Sequence, residues 1–265
     1  MNATKYALIT GATSGIGYEL AKLFAKDSYN LIIVSRDQQQ LDKTAAELKE
    51  SGIDVITFAK DLFNREEVFS LCEDVKHTGI QVDVLVNDAG QGAYGLFKDN
   101  DIERELKIID LNIGALTILT KHFLKEMVAR NEGKILNLAS IASETPGPWQ
   151  AVYHGTKAYV LSLTEAIREE VKDTNITVTA LLPGATATDF FNKAGMQDAK
   201  IVQDKESLSN PADVAKDGYD ALMAGDDKII SGFKNKVMVG MSHITPDTMV
   251  AHNMAEMQKP VDKDS

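Results

Sequence analysis

The sequence predicts an α/β fold, a doubly wound parallel sheet of about seven strands with helices on both faces in three α/β/α layers. Short runs rich in β-branched residues alternate with amphipathic stretches along most of the chain, the pattern of successive strand-helix-strand units. The runs are apolar at nearly every position, as in strands covered on both faces. Because no repeat or linker divides the chain, residues 1–235 are expected to form a single domain. The remaining residues, 236–265, are expected to be a tail that packs in part and then frays.

Each predicted strand is bounded by Gly, Asp, Asn or Pro, which favour turns. The strands are expected at 5–10, 30–35, 54–59, 82–87, 133–139, 176–182 and 227–231. The helices between them are expected at 15–26, 38–50, 64–77, 101–129 (as one piece or two), 149–172 and 211–224. Capping residues support two of the starts. Asn64 precedes a first turn with two acids, and Asn210 precedes Pro211, the residue type favoured at the first helical position.

Composition and charge limit the partners. The chain has 28 basic and 39 acidic residues and a net charge of −11, which disfavours a nucleic acid or an anionic membrane as a partner. We expect a cytoplasmic protein, because no basic stretch with an apolar signal core precedes the first strand and no segment is long enough to span a membrane. Cys72, the only cysteine, falls on an apolar helical stripe and is expected in the core. The five histidines form no ligand-spaced cluster, so no metal site is expected.

A glycine-rich turn follows the first predicted strand and opens the first helix. Its glycines allow the backbone to turn tightly and to approach a ligand, and the helix N-terminus after them is suited to a pyrophosphate. This placement predicts a Rossmann-type dinucleotide site. The predicted contacts are Gly11, Thr13, Ser14, Gly15, Ile16 and Gly17.

The end of the second strand indicates which dinucleotide is bound. Arg36 lies where an arginine can bind a 2′-phosphate, with the hydroxyl of Ser35 beside it, so NADP(H) is favoured over NAD(H). Asp37 is expected to be the N-cap of the next helix. A shift of register by one or two residues would instead bring Asp37 to the ribose hydroxyls of NAD(H), and that alternative stays open.

Other candidate residues follow the third to sixth strands. Ligands of such sheets bind at the carboxyl ends of the strands. After the third strand, the carboxylate of Asp61 is suited to an adenine amine, although a plain turn is equally compatible. After the fourth, small residues let the chain pass under a flat ligand, and Asn87 is able to tie neighbouring strands together. The predicted contacts at this edge are Asp61, Leu62, Asn87, Ala89, Gly90, Ser140, Pro183, Gly184, Thr186 and Thr188.

Tyr153 and Lys157 are four residues apart in the predicted helix 149–172, so their side chains leave the same face. At about 4 Å and an effective dielectric of about 20, a lysine stabilises a phenolate by roughly 4 kcal/mol and lowers its pKa by up to about three units. Tyr153 is therefore expected to exchange protons near neutral pH, as a general acid or base.

Together these motifs resemble the short-chain dehydrogenase/reductase family in its single-domain form. The residues that carry the resemblance are TGATSGIG at 10–17, NDAG at 87–90, the Asn of DLNIG at 110–114, Ser140, YHGTK at 153–157 and PGATAT at 183–188. The resemblance extends from Lys5 to about Ser231. Two features depart from the pattern of many relatives: Asp88 replaces a second Asn, and Ser14 lacks the basic residue of some NADP-preferring members.

The resemblance implies roles for individual residues. Ser140, Tyr153 and Lys157 would be catalytic, and Asn112 would hold a water in a proton relay to Lys157. Lys157 would also bind the nicotinamide ribose. Thr186 and Thr188, with the turn at Pro183 and Gly184, would fix the carboxamide. A homodimer or homotetramer built through helices 101–129 and 149–172 is implied as well.

The resulting hypothesis is an NADP-dependent oxidoreductase that transfers hydride reversibly between NADP(H) and a carbonyl or alcohol substrate. Aromatic and apolar residues favour an apolar ketone, aldehyde or 3-oxoacyl compound, with 185–200 as a lid. The predicted substrate contacts are Ser140, Trp149, Tyr94 and Met196, with Trp149 placed one turn before Tyr153 on the same helix face. The alternatives are a non-catalytic dinucleotide-binding regulator or scaffold, a methyltransferase or other nucleotide-binding enzyme, and an epimerase or dehydratase.

Overall fold

The parallel sheet lies at the centre of the computed structural model, which describes residues 5–261. Within this range its strands are β1 (Tyr6–Thr10), β2 (Asn30–Ser35), β3 (Val55–Ala59), β4 (Val84–Asn87), β5 (Gly133–Leu138), β6 (Ile176–Leu182) and β7 (Lys228–Ile230). They lie in the order β3-β2-β1-β4-β5-β6-β7, and all neighbouring pairs are parallel. The predicted doubly wound sheet is confirmed. Its order reverses between β1 and β4, the switch point where such sheets bind ligands.

Helices connect the strands and continue after the last one. They are α1 (Gly15–Lys26), α2 (Gln38–Lys49), α3 (Arg65–His77), α4 (Ile102–Ile109), α5 (Leu116–Arg130), α6 (Ala151–Glu170), α7 (Phe190–Ala194), α8 (Lys200–Gln203), α9 (Pro211–Ala224), α10 (Phe233–Ser242) and α11 (Asp247–Gln258). Short 3-10 helices cover Ile141–Glu144 and Lys205–Ser207. A π-helical segment, Asp110–Ala115, joins α4 to α5. The helical stretch expected at 101–129 is therefore a continuous run with a π segment in its middle.

Helix capping matches the expected starts. The side chain of Asn64 accepts a hydrogen bond from the backbone of Glu66 at the start of α3. Asn210 accepts a similar bond at the start of α9, where Pro211 is the first residue. The Asp37 carboxylate accepts from the second and third residues of α2, so the predicted N-cap is confirmed.

The two faces of the sheet are packed by different helices. On one face α1, α2 and α9 cover the strands, and Phe24 of α1 meets Tyr219 of α9 edge-on with ring centroids 4.9 Å apart. On the other face α3 and α5 bury Leu71 and Phe123, and α6 packs beside them. Cys72 belongs to this second core, as predicted, and burial raises the pKa of its thiol to about 12. The thiolate is disfavoured there, so Cys72 is unreactive.

The segment predicted to be a tail contains most of α10 and all of α11, two helices that were not predicted from the sequence. The chain after α11 is held beside residues 198–200, because the backbone N–H of Val261 donates to the carbonyl of Asp198 at 2.8 Å. A backbone bond also joins Lys200 to Lys259. The end of the expected frayed segment, 262–265, lies outside the described residues.

Two surface properties bear on partners. Among residues 5–261, no helix combines the length and apolar character needed to cross a membrane. The outer surfaces of α4 and α6, where the resemblance implies subunit contacts, carry exposed Ile102, Leu106 and Tyr159. Association through these helices stays a prediction.

Candidate active site

A cleft of about 280 Å³ opens at the carboxyl edge of the sheet, where β1 and β4 diverge. It gathers most of the predicted site residues from distant parts of the chain. Those that line it are Gly11, Thr13, Ser14, Gly15, Ile16, Ser35, Arg36, Leu62, Ala89, Gly90, Ser140, Tyr153, Lys157, Pro183, Gly184, Thr186, Thr188 and Met196. Six predicted residues do not line it: Gly17, Asp61, Asn87, Tyr94, Asn112 and Trp149.

The glycine-rich turn forms one wall of the cleft. Gly11 and Gly15 have φ angles of 74° and 59°, a left-handed conformation that favours glycine. A Cβ at Gly15 would lie 3.1 Å from the Thr188 methyl carbon, so the turn closely approaches the loop after β6. Ser14, the N-cap of α1, makes no side-chain capping bond, and the first turn of the helix contains no acid. The N-terminus of α1 therefore fits an anionic group such as a pyrophosphate.

Gly17 lies beneath this wall and packs against Asp88. A Cβ on Gly17 would lie 2.4 Å from Oδ2 of Asp88 and 2.6 Å from the carbonyl oxygen of Gly11. The Gly17 backbone N–H donates to the Asp88 carboxylate. The third glycine thus supports the turn and does not face the cleft.

The end of β2 forms the rim of the cleft. Thr13 donates a hydrogen bond to Ser35 at 3.2 Å, which links the glycine-rich turn to β2. Arg36 is exposed, and its guanidinium lies 5.0 Å from the centre of the Phe63 ring. The Asp37 carboxylate is engaged in capping α2, whereas Arg36 lines the cleft.

Asp61 and Asn87 make hydrogen bonds within the protein and do not line the cleft. The Asp61 carboxylate accepts a bond from the backbone of Phe63, which favours the plain turn over an adenine contact at this residue. The amide of Asn87 is buried and donates to Asn137 Oδ1 at 2.8 Å and to Thr120 at 3.0 Å. Asn87 thus ties β4 to β5, as predicted.

Ser140, Tyr153 and Lys157 meet in the centre of the cleft. Ser140 caps the 3-10 helix that follows β5 and lines the cleft with Tyr153, where its hydroxyl favours the ionised form of the phenol. Tyr153 and Lys157 leave the same face of α6, with Lys157 Nζ 5.8 Å from the centre of the Tyr153 ring. The ammonium donates to the carbonyl of Leu138 at 2.6 Å. The arrangement therefore places a proton donor and a hydroxyl side by side, with a lysine behind them.

The expectation that Lys157 brings the pKa of Tyr153 down to near neutral is wrong for the protein alone. Burial raises the pKa of Tyr153 to about 12, and the hydrogen bond from Ser140 opposes that rise. Burial also lowers the pKa of Lys157 to about 8, against the attraction of the Asp88 carboxylate. The physical reason is that desolvation of the phenolate outweighs the attraction of an ammonium that is directed at Leu138.

Asn112 lies in the π-helical segment behind the cleft. Its side chain accepts from the backbone N–H of Gln91 at 3.0 Å and donates to the Gln91 carbonyl at 2.9 Å and to Thr156 at 3.0 Å. A Cβ on Gly90 would lie 3.4 Å from Asn112 Oδ1 and 3.5 Å from Lys157 Nζ. Asn112 and Lys157 therefore flank the same stretch of backbone, and a π segment at this point is typical of a functional site.

The predicted substrate contacts are only partly brought together. Met196 is buried and lines the cleft with Phe190, whose ring lies 5.1 Å from that of Tyr153. Trp149 does not share a helix face with Tyr153, so that prediction is wrong. Helix α6 begins at Ala151, and Trp149 precedes it with a φ of 70°. Its ring therefore turns away and stacks on Tyr94 at 5.7 Å.

Among the other residues that line the cleft, His154, Met254 and Gln258 were not predicted from the sequence. The last two come from α11. The only local signal for them is the spacing of Val250, Met254 and Gln258 at intervals of four, which places all three on one helix face. This face is buried against the cleft.

Similarity to known proteins identifies the family of this chain. The sequence profile of the short chain dehydrogenase family matches residues 5–199. An uncharacterised oxidoreductase of Bacillus subtilis, YvrD, is 37% identical over 185 residues, which cover 70% of this chain and 70% of that protein. The 3-oxoacyl-acyl-carrier-protein reductase FabG of Staphylococcus aureus is 29% identical over 248 residues, or 91% of this chain and 96% of that protein. A short-chain dehydrogenase from Sphingobium yanoikuyae, solved in complex with NADPH, is 26% identical with a TM-score of 0.81, covering 98% of this chain and 99% of that one. This chain belongs to the short-chain dehydrogenase family.

Proposed function

We propose that the protein is an NADP-dependent oxidoreductase that transfers hydride reversibly between NADP(H) and a carbonyl or alcohol substrate. The observation that supports this most strongly is the meeting of Ser140, Tyr153 and Lys157 in the cleft that begins at the glycine-rich turn. A dinucleotide-binding wall and a proton donor in one cleft suit hydride transfer coupled to proton transfer.

The residues present fit the cofactor. The uncapped N-terminus of α1 would hold the pyrophosphate, while Ser35 and Arg36 would bind a 2′-phosphate. Lys157 would bind the nicotinamide ribose. The NADPH complex of the Sphingobium relative supports a nicotinamide dinucleotide at this site. When bound, the cofactor supplies the hydride.

The protein's own residues handle the proton and the developing charge. In the reductive direction Tyr153 donates its proton to the carbonyl oxygen, and Ser140 donates a hydrogen bond to the same oxygen as negative charge forms there. The raised pKa of Tyr153 keeps the phenol protonated at neutral pH, as a general acid requires. Thr186 and Thr188, with the Pro183 and Gly184 turn, would orient the carboxamide.

The walls beyond Tyr153 favour an apolar substrate body. Phe190, Phe191, Met196 and Met254 line this part of the cleft. Burying such side chains against an apolar chain or ring is favourable. We therefore propose a ketone, an aldehyde or a 3-oxoacyl compound as substrate, and the likeness to the Staphylococcus aureus reductase supports the last of these.

Oxidation of NADPH, followed by its absorbance with a panel of these compounds and with NADH in parallel, tests the proposal. Tyr153→Phe should reduce turnover to less than about a tenth, since a general acid typically contributes about 10²–10⁴-fold. NADPH binding should be largely unchanged. Tyr159→Phe is the matched control, because Tyr159 lies exposed on the same helix.

Two results would contradict the proposal. Turnover of Tyr153→Phe above that limit would refute the role of Tyr153. Tight NADPH binding without turnover of any carbonyl compound or alcohol would instead favour the non-catalytic dinucleotide-binding regulator.

A further inference from the structure

The guanidinium of Arg36 lies against an aromatic ring at the rim of the cleft. Arg36 directly follows β2, it is exposed, and its guanidinium carbon lies 5.0 Å from the centre of the Phe63 ring. A cation within roughly 6 Å of a ring centre is attracted to the face of the ring. Within residues 5–261 the Arg36 guanidinium makes no hydrogen bond or ion pair. The Phe63 ring is therefore the contact that holds this charge in place.

Two other basic residues close to this rim are already engaged. Lys60 lines the cleft, but its ammonium forms an ion pair with Asp74 at 2.6 Å. The guanidinium of Arg104 donates to the side-chain oxygen of Gln91 at 2.7 Å. The N–H groups of Arg36, by contrast, are open to an anion.

The Phe63 ring is itself held in position. Phe63 lies in the turn between β3 and α3, where its backbone N–H donates to the Asp61 carboxylate at 3.3 Å. Its half-buried side chain lines the cleft and packs against the core that contains residues of α3 and α5. The guanidinium carbon of Arg104 lies 5.9 Å from the ring centre. The ring is thus a fixed surface at the rim of the cleft.

Contact with this ring is compatible with contact to a phosphate. A planar guanidinium stacks on a ring through its face and directs its N–H donors outward in its own plane. It can therefore bind two phosphate oxygens while it stays on the ring. Without the ring, the long side chain of Arg36 would have more rotamer freedom to lose when it binds an anion.

We propose that Phe63 is a positioning residue for cofactor selection, which holds Arg36 where the guanidinium binds the 2′-phosphate of NADP(H). This inference rests on the proposed function and assigns a further residue to its cofactor preference. NADH has a hydroxyl in place of that phosphate, so Phe63 raises the affinity for NADPH and not the affinity for NADH. The effect requires the side chain of Arg36.

Dissociation constants of NADPH and NADH, measured by calorimetry on the whole chain, test this role. We expect Phe63→Leu to weaken NADPH binding by about two- to fivefold, the size of an exposed cation–π contact, and to leave NADH binding unchanged. Phe63→Tyr keeps an aromatic face and should keep the wild-type ratio of the two constants. Phe63→Met carries the test if the Leu variant does not fold. Phe69→Leu is the matched control, because Phe69 lies 58% exposed on α3.

The double variant shows whether Phe63 acts through Arg36. In an Arg36→Ala background, Phe63→Leu should change neither dissociation constant further, and a further loss of NADPH affinity there would overturn the inference. Equal weakening of NADPH and NADH by Phe63→Leu would overturn it too, because the ring would then support the fold or contact a part that both cofactors share. So would NADPH binding that is unchanged in the folded Leu or Met variant. A wild-type protein that binds NADPH no more tightly than NADH would instead overturn the NADP preference of the proposed function, and this inference with it.

Discussion

Replacing Lys157 with Met should raise the pKa of Tyr153. The Lys157 ammonium lies 5.8 Å from the centre of the Tyr153 ring. At that distance and an effective dielectric of about 20, its attraction for the phenolate is about 3 kcal/mol, or about two pKa units. Met is similar in length and apolar, so it fills the same buried position without the charge.

Alcohol oxidation is the informative assay, because in the proposed mechanism the phenolate of Tyr153 is the base for that direction. Below the Tyr153 pKa, the phenolate population rises about tenfold per pH unit, so the rate of oxidation should rise with pH. Loss of the Lys157 charge should lower that rate by up to about a hundredfold at a given pH. Burial lowers the pKa of Lys157 to about 8. The difference in oxidation rate between the wild type and Lys157→Met should therefore be largest below pH 8. It should shrink above pH 8, where the wild-type lysine loses its charge.

Assays at saturating cofactor separate the effect of the Lys157 charge on the rate from an effect on dinucleotide binding. The dissociation constant of the cofactor is measured for each protein. Lys125→Met, an exposed substitution on α5, should leave the profile unchanged. A Lys157→Met enzyme whose rates match the wild type below pH 8 would refute the electrostatic reasoning. So would a difference that grows above pH 8.

Arg36→Ala should reduce the proposed preference for NADPH over NADH by about tenfold to a hundredfold, because the proposed charged hydrogen bond to the 2′-phosphate would be lost. The ratio of the two dissociation constants measures this. Asp37→Ala should lower the free energy of unfolding by about 1 kcal/mol through loss of the α2 N-cap, as measured by urea denaturation. Gly17→Ala should lower it by about 1–3 kcal/mol through overpacking, since the new Cβ would lie 2.4 Å from Asp88 Oδ2 and 2.6 Å from a backbone carbonyl. Its unfolding midpoint should fall accordingly.

Each of these three predictions has a result that would contradict it. If the ratio of the NADPH and NADH dissociation constants is unchanged in Arg36→Ala, Asp37 would instead be favoured as the ribose contact. Wild-type stability in Asp37→Ala would mean that its two capping bonds contribute nothing to α2. A Gly17→Ala protein as stable as the wild type would show that the turn relaxes around the added methyl group.

The parts of the site that the sequence predicted are carried by local patterns. A glycine-rich turn between a strand and a helix is a local feature that presents a helix N-terminus to an anion, so the wall around Gly15 was predictable. The four-residue spacing of Tyr153 and Lys157 places them on one helix face without knowledge of the tertiary fold. Apolar runs separated by amphipathic stretches similarly predict a parallel sheet, and the sheet brings its carboxyl-edge residues together.

The remaining features depend on contacts between distant residues, which no local pattern encodes. Gln258 lies within hydrogen-bond distance of His154, although 104 positions of sequence separate them. The apolar pattern of α11 is too weak to predict a helix without the surface that it packs against. Trp149 does not lie on the predicted helix face, because α6 begins only at Ala151. Tertiary contacts decide where the helix begins. The pKa of Tyr153 depends on how fully the assembled cleft removes the phenol from water. Thus the sequence by itself determined the fold, the glycine-rich wall and the pairing of Tyr153 with Lys157, whereas burial and long-range packing decided the electrostatics of the cleft and the residues that α11 adds to it.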